Sequence, residues 1–64
     1  MPILLKAARV NAGLTQEEVV KKLKMSKTTL VNYEKYRSKP DIETAQKLAA
    51  LYGTSIDNII WTGS

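Results

Sequence analysis

The chain has 64 residues, among them ten basic and six acidic side chains, and neither cysteine nor histidine. This length makes one small domain with too little core for a deep cleft, and the composition excludes disulfides and thiolate or imidazole metal sites, so we expect neither a cofactor nor a small-molecule substrate. The apolar stretch at residues 3–5 is too short for a signal-peptide core or a membrane span, so we expect a soluble, cytoplasmic protein without a membrane partner.

Apolar residues at helical spacing predict five short helices and no strand, at about residues 3–12, 16–23, 27–36, 42–52 and 56–60. Gly13 should end the first helix, because glycine readily takes the left-handed conformation found after helices. Thr15 and Glu18 have the spacing of a capping box, which should start the second helix by exchanging hydrogen bonds between side chains and amides. Ser26 should cap the third helix. The pattern therefore predicts a compact all-α domain.

The fourth and fifth predicted helices follow Pro40. Asp41 should cap the fourth helix and Gly53 should end it, while Ser55 should cap the fifth. Pro40 disfavours helical backbone at the residue before it, so residues 35–39 should form a polar loop. Connections of about two to five residues then require the helices to pack closely against one another.

The second and third predicted helices are separated by a very short turn. Only Lys24 and Met25 lie between the apolar pattern of one helix and Ser26, the cap of the next. Two helices joined so tightly must cross at a steep angle, as in the helix-turn-helix, whose second helix enters a DNA major groove. An ordinary corner between two helices of a small bundle would have the same spacing, so the spacing alone leaves both interpretations open.

The residues on the outward face of the third helix favour a nucleic-acid-binding function. With Leu30 and Tyr33 turned toward the core, the outward positions are Lys27, Thr28, Val31 and Asn32. A lysine can donate to guanine, an asparagine can pair with an adenine edge, and threonine offers a hydroxyl and a methyl group. Lys27, Thr28 and Asn32 are therefore candidate base-reading residues.

The positive charge is concentrated in one segment. Seven of the ten basic residues lie between positions 21 and 39, where Glu34 is the only acidic residue. This segment therefore has a net charge of +6. The rest of the chain has three basic and five acidic residues and a net charge of −2. Such a run is often only a solvated face, and we prefer that interpretation for Lys21, Lys22 and Lys24. We expect phosphate contacts instead from Gln16, at the start of the second helix, and from the loop residues Lys35, Arg37, Ser38 and Lys39.

Two further hypotheses concern contacts between distant parts of the chain. If the first helix packs across the third, Arg9 and Glu34 could form an ion pair that ties the domain together; the alternative is two independent surface charges. Trp61, close to the C-terminus, is hard to bury within one subunit. We therefore expect Trp61 at or near a dimer contact.

From Leu5 to about Ile60, the chain resembles the Cro/CI-type helix-turn-helix domain of phage repressors and related bacterial regulators. The residues that carry the resemblance are Arg9, Gly13–Val19, Met25–Ser26, Leu30, Tyr33–Glu34, Pro40, Ile42–Ala49 and Tyr52–Asp57. The resemblance implies a five-helix, lambda-repressor-like all-α domain in a bacterial cell. It also implies binding to a partly palindromic operator in double-stranded DNA, usually as a homodimer, and regulation of transcription.

The resemblance also assigns roles by position. It matches Gln16 to a phosphate-contacting glutamine and Thr29 to a site near the DNA backbone. Base-reading positions are matched by Lys27, Thr28 and Asn32, phosphate-contacting loop positions by Lys35, Arg37 and Lys39, and a framework ion pair by Arg9 and Glu34.

The chain departs from the family pattern at two positions. Val20 replaces a small alanine, and Lys24 replaces a glycine in the turn. Glycine suits the left-handed backbone common at that place, and lysine in the same conformation costs about 1 kcal/mol. We therefore expect a slightly strained or distorted turn ahead of the third helix.

Other functions fit the sequence less well. An enzyme is disfavoured, because the chain has no histidine, cysteine or glycine-rich phosphate loop and no close pair of carboxylates in an apolar setting. A protein-interaction module on the same fold, such as an antitoxin or a co-regulator, would not need the polar residues Lys27, Thr28 and Asn32. A sequence-independent DNA or RNA binder would need the basic flanks but not those three residues.

Overall fold

Four α-helices form most of the domain, and a two-stranded sheet joins its two ends. The computed structural model describes residues 1–63. The helices are α1 (Leu5–Asn11), α2 (Gln16–Leu23), α3 (Lys27–Glu34) and α4 (Ile42–Leu51), followed by a 3-10 turn at Ile56–Asn58. The strands are β1 (Ile3–Leu4) and β2 (Ile59–Ile60). None of the helices in the described residues is long and apolar enough to cross a membrane.

Side-chain caps start three of the helices, as predicted. At α2, the Thr15 hydroxyl accepts from the Glu18 amide at 3.1 Å and the Glu18 carboxylate accepts from the Thr15 amide at 2.9 Å. Ser26 Oγ accepts from the Thr29 amide at 3.1 Å ahead of α3, and an Asp41 oxygen accepts from the Thr44 amide at 3.0 Å ahead of α4. These bonds satisfy amides that a helix start would otherwise leave without partners.

The prediction of five helices and no strand was wrong at both ends of the chain. Residues 3–4 and 59–60 pair as parallel strands, with Ile3 opposite Ile59 and Leu4 opposite Ile60. The expected fifth helix shrinks to the 3-10 turn, and Ser55 precedes it without a side-chain cap bond. Branched isoleucines suit extended backbone, and each strand finds its hydrogen-bond partner only in the other terminal segment, which local periodicity cannot reveal.

The third helix is also shorter than predicted. It ends at Glu34 instead of continuing to Tyr36, which has a left-handed backbone with φ of 59°. The chain leaves the helix there, and the Arg37 amide donates to the Asn32 carbonyl at 2.9 Å. Residues 35–39, here called the basic loop, therefore begin directly at the end of α3.

Buried apolar side chains from every helix meet in one core. Leu5 of α1, Val19 of α2, Leu30 of α3 and Leu48 of α4 are fully buried. Their neighbours in the core are Ala8, Ala49, Tyr52 and Ile59. Because Leu30 is buried on one side of α3, the opposite side of that short helix remains at the surface.

The left-handed turn between α2 and α3 falls on a lysine. Lys24 has φ of 54° and ψ of 46°, whereas Gly13 and Gly53 occupy the corresponding places after α1 and α4. A side chain with a Cβ atom is strained in this conformation, because the Cβ atom approaches the following carbonyl oxygen. The expectation of a strained turn at Lys24 agrees with this backbone geometry.

Replacing Lys24 with glycine should raise the free energy of unfolding by about 0.5–1 kcal/mol, because glycine takes the left-handed conformation without that strain. Lys21→Gly is the matched control: it removes the same charge from an exposed position inside α2 and should instead destabilise by about 1 kcal/mol. Urea unfolding followed by circular dichroism measures both. Equal losses in the two variants would show that the turn carries no strain.

Candidate nucleic-acid interface

The turn between α2 and α3 holds the two helices in a fixed relation. The Met25 amide donates to the Val20 carbonyl at 3.1 Å across the left-handed residue Lys24. Leu23 and Met25 are partly buried and pack against the core. The turn is thus anchored by one backbone bond and two apolar side chains, and α3 begins immediately after it at Lys27.

The candidate base-reading residues lie on the surface of α3, and we call Lys27, Thr28 and Asn32 the polar face. Lys27 and Thr28 are exposed and Asn32 is half-buried. Thr29, the candidate phosphate contact in the same helix, is half-buried, and its hydroxyl lies 2.7 Å from Ser26 Oγ within the cap. The first turn of α3 therefore combines a bonded cap with two exposed polar side chains.

Lys27 is held by an acidic partner on the preceding helix. Its ammonium group forms an ion pair and hydrogen bond with the Glu17 carboxylate of α2. The hydrogen bond from Lys27 is the main reason why the pKa of Glu17 lies below its usual value. Both side chains are more than half exposed, so the pair is weak and Lys27 can exchange Glu17 for another acceptor at little cost. Sequence reasoning missed this contact.

Arg9 and Glu34 form a buried ion pair between α1 and α3. Arg9 Nε lies 2.7 Å from Glu34 Oε2, and the two side chains are only 9% and 4% exposed. Arg9 Nη1 also donates to the Leu14 carbonyl at 2.8 Å. Gln16 Nε2 donates to Glu34 Oε1 at 3.0 Å. The cluster of Arg9, Leu14, Gln16 and Glu34 thereby ties α1, the start of α2 and the end of α3 together.

This cluster changes the setting of Gln16. The side chain is half-buried, and its amide nitrogen is engaged by Glu34. Its position at the first residue of α2 still places it beside the free amides of a helix start, which favour anions. The structure thus brings a candidate phosphate contact into direct contact with the ion pair, a link that sequence reasoning did not predict.

The basic loop exposes three cations that have no acidic partner among residues 1–63. Lys35, Arg37 and Lys39 are all exposed, as is Ser38. Within the part of the chain that the structure describes, the ion pairs are Arg9–Glu34, Lys27–Glu17 and Lys47–Glu43, so none involves the loop. No carboxylate of the described residues neutralises this positive charge, which would attract a polyanion.

Two further acidic residues, Glu18 and Asp41, stabilise the starts of helices. Hydrogen bonds from Thr15 hold the pKa of Glu18 below its usual value, and hydrogen bonds from Thr44 do the same for Asp41. Among residues 1–63, no three acidic side chains come together in a group that could hold a metal ion. Capping and pairing therefore account for these carboxylates.

Trp61 is accommodated better within one subunit than its position in the sequence suggested. The side chain is partly buried against the core, and its indole nitrogen donates to the Ile56 carbonyl at 2.9 Å. Trp61 also lines a surface groove together with Pro40, Ala45 and Ile56. Ile42, which also lines this groove, is 67% exposed. The partly buried indole is thus bonded within its own subunit, and an apolar surface lies beside it.

The Tyr52 hydroxyl is buried beside the Arg9–Glu34 pair. Within the described residues, it has no hydrogen-bond partner. Burial, together with the charge of Glu34, raises the pKa of Tyr52 to about 12, and the charge of Arg9 opposes this shift. The folded protein thus disfavours ionisation of this phenol.

Tyr52→Phe should raise the free energy of unfolding by about 1 kcal/mol at neutral pH, because it removes a buried hydroxyl without a partner. In the wild type, stability should fall as the pH rises from 10.0, the usual pKa that applies to the unfolded chain, to about 12, the pKa in the folded protein. The advantage of Tyr52→Phe should therefore widen over that range. Urea midpoints measured for both proteins from pH 7 to 12 test this, and parallel pH profiles would contradict it.

Comparisons with known proteins agree with this architecture. The family model described as Helix-turn-helix matches residues 5–59. The HTH-type transcriptional regulator ImmR of Bacillus subtilis (strain 168) is 43% identical over 56 residues, which cover 88% of this chain and 44% of the relative. The cryptic phage CTXphi transcriptional repressor RstR of Vibrio cholerae is 40% identical over 52 residues, 81% of this chain and 47% of the relative.

A third relative is similar in length. An uncharacterized HTH-type transcriptional regulator of Methanocaldococcus jannaschii is 38% identical over 55 residues, which cover 86% of this chain and 83% of the relative. The chain thus spans less than half the length of the first two relatives and most of the third.

Proposed function

The chain belongs to the Cro/CI-type helix-turn-helix family, and from that membership we propose that it binds a specific, partly palindromic operator in double-stranded DNA and represses transcription there. Its relatives are named as transcriptional regulators, not as enzymes. The proposal assigns α3 to the major groove.

The polar face of α3 is the observation that carries this proposal. Lys27 and Thr28 are exposed in the first turn and Asn32 is partly exposed one turn later, while Leu30 is fully buried on the opposite side. Residues four apart share a face of a helix, so Thr28 and Asn32 point the same way. Lysine, threonine and asparagine supply the donors and acceptors that the edges of base pairs require.

Phosphate contacts flank this face in the proposal. These contacts come from Gln16 at the start of α2, from Thr29 in the first turn of α3 and, in the basic loop, from Lys35, Arg37 and Lys39. The positive charge of the loop, which forms no ion pair among the described residues, supports this role, because each phosphate neutralised by a cation releases counterions and strengthens binding. The flanking contacts orient α3, and the polar face supplies the discrimination between sequences.

A titration at several salt concentrations tests the proposal. The protein is titrated against duplex from upstream of its own gene and against scrambled duplex of the same length and composition. We expect an affinity ratio of at least about 10³ in favour of the upstream DNA. Equal affinities that fall together with salt would leave only non-specific nucleic-acid binding, and absence of binding to either duplex would favour a protein-interaction module on the same fold.

The proposed regulator acts on its operator as a homodimer. A partly palindromic site presents two equivalent half-sites, which a symmetric dimer reads with two copies of α3. The surface formed by Trp61 and the exposed Ile42 supports a contact between subunits at this end of the domain. Burial of such apolar surface stabilises association.

Sedimentation equilibrium with and without operator DNA tests the homodimer. We expect two subunits on each operator, and Ile42→Glu should weaken this association because it places a charge in the apolar contact. Val10→Glu is the control, since Val10 is 57% exposed on α1 and lies outside the groove. A monomer at high concentration and on operator DNA alike would rule out the dimer.

A further inference from the structure

Tyr36 has an unusual backbone for an aromatic residue. It is the second residue of the basic loop and has φ of 59°, one of two non-glycine residues with positive φ among the described residues. For a residue with a Cβ atom this conformation costs about 1–2 kcal/mol, and such strain persists only where surrounding contacts hold it. The contacts of Tyr36 therefore indicate what the strain maintains.

The Tyr36 hydroxyl joins the two ends of the domain to the loop. It accepts from the Leu5 amide at 3.2 Å, at the point where β1 passes into α1. It also donates to the Ile60 carbonyl of β2 at 2.9 Å. Leu4 and Ile60 are partners in the small sheet, so the hydroxyl bridges the two strands just beyond their last pair.

At Tyr36 the left-handed backbone turns the side chain away from those of its two charged neighbours. Tyr36 is half-buried, whereas Lys35 and Arg37 on either side of it are exposed. Gly63 approaches the same side chain, since a Cβ atom added there would lie 3.0 Å from Tyr36 Cβ. One residue thus faces inward and is held by both strands, while the two cations beside it face outward.

We propose that Tyr36 is a positioning residue for DNA binding, whose hydroxyl anchors the basic loop to β1 and β2 and so holds Lys35 and Arg37 ready for phosphate contact. The inference rests on the proposed DNA-binding function. A loop that is already ordered loses less conformational entropy on binding, so the anchor raises affinity without itself touching DNA. Because phosphate contacts do not depend on sequence, the anchor contributes equally to operator and scrambled duplex.

Tyr36→Phe removes only the hydroxyl and is the main test. We expect affinity to fall by about 3- to 10-fold for both duplexes, the effect of losing one or two hydrogen bonds that order the loop. The slope of log affinity against log salt should become shallower by about 1, as one phosphate contact is lost on average. Tyr33→Phe is the matched control, because it removes a hydroxyl from α3 that takes no part in these two bonds; it should leave both quantities unchanged.

The salt slope separates positioning from mere stabilisation. At a temperature where circular dichroism shows the variant fully folded, a loss of stability alone leaves the slope as it is in the wild type. Tyr36→Gly provides a second variant, since glycine accepts the left-handed backbone without strain but has neither ring nor hydroxyl. Its affinity should fall at least as much as that of Tyr36→Phe, and its salt slope should be at least as shallow.

Two outcomes would overturn the proposal. If folded Tyr36→Phe has the affinity and the salt slope of the wild type, the hydroxyl does not position the loop. Wild-type affinity of Tyr36→Gly would lead to the same conclusion. If the wild-type protein itself shows no salt-dependent affinity for either duplex, the proposed function fails, and the role of Tyr36 in DNA binding fails with it.

Discussion

Glu34→Ala should lower the free energy of unfolding by about 3–5 kcal/mol, because it leaves the Arg9 guanidinium buried without its counter-charge. Arg9 and Glu34 are 9% and 4% exposed and their Nε and Oε2 atoms lie 2.7 Å apart, so the intact pair is largely shielded from water. Glu34 also accepts from Gln16, so the substitution frees that side chain at the start of α2. Urea unfolding followed by circular dichroism measures the loss.

The double variant Arg9→Met/Glu34→Leu is the control for this effect. Replacing a buried ion pair by apolar residues of similar volume is often neutral or stabilising, so the double variant should recover most of the stability lost in Glu34→Ala. Lys47→Ala, which removes one partner of an exposed pair with Glu43, should change stability little. A loss below about 1 kcal/mol in Glu34→Ala would mean that the buried pair behaves like a surface pair.

The expected loss also bears on DNA binding, because the same cluster connects three helices. Arg9 lies in α1, Gln16 begins α2 and Glu34 ends α3. A shift of Glu34 would therefore reach both a candidate phosphate contact and the base of the basic loop. We regard the ion pair as part of the frame that aims α3.

Asn32→Ala should cost about 1–3 kcal/mol at the operator and little on scrambled duplex, because it removes the bidentate contact to a base edge that we propose for this side chain. Asn32 is half-buried on the polar face of α3, so truncation to alanine leaves the fully buried Leu30 undisturbed. Fluorescence anisotropy with both duplexes at matched salt gives the two affinities. An equal loss on both duplexes would assign Asn32 to the DNA backbone and not to a base.

Arg37→Ala is the matched variant for a phosphate contact. Arg37 is exposed in the basic loop, and the described residues include no acidic partner for it. Its loss should weaken operator and scrambled duplex by a similar factor and make the salt slope shallower by about 1. The two variants together thus distinguish a residue that specifies sequence from one that supplies only charge.

The paired state of Lys27 sets a condition for base contact. In the protein without DNA, its ammonium group binds Glu17 across the turn between α2 and α3. Contact with a guanine requires Lys27 to leave that carboxylate. Since both side chains are well exposed, solvent screens the pair and the exchange is easy.

The sequence by itself determined the features that depend on neighbours a few residues apart. The capping box at Thr15 and Glu18, the caps at Ser26 and Asp41 and the stops at Gly13 and Gly53 all lie where the residue types predicted them. Each rests on a contact within about one helical turn, so local spacing is sufficient to specify it. The tight turn between α2 and α3, and with it the family resemblance, follows from the same local signals.

The tertiary structure decided everything that joins distant segments. Ile3 and Leu4 extend helical periodicity in the sequence but pair with Ile59 and Ile60. Tyr36 ends α3 early because its hydroxyl meets Leu5 and Ile60, 31 and 24 residues away. The link from Gln16 to the Arg9–Glu34 pair is likewise nonlocal. Such contacts depend on which surfaces the packed core brings together, and no periodicity along the chain records that.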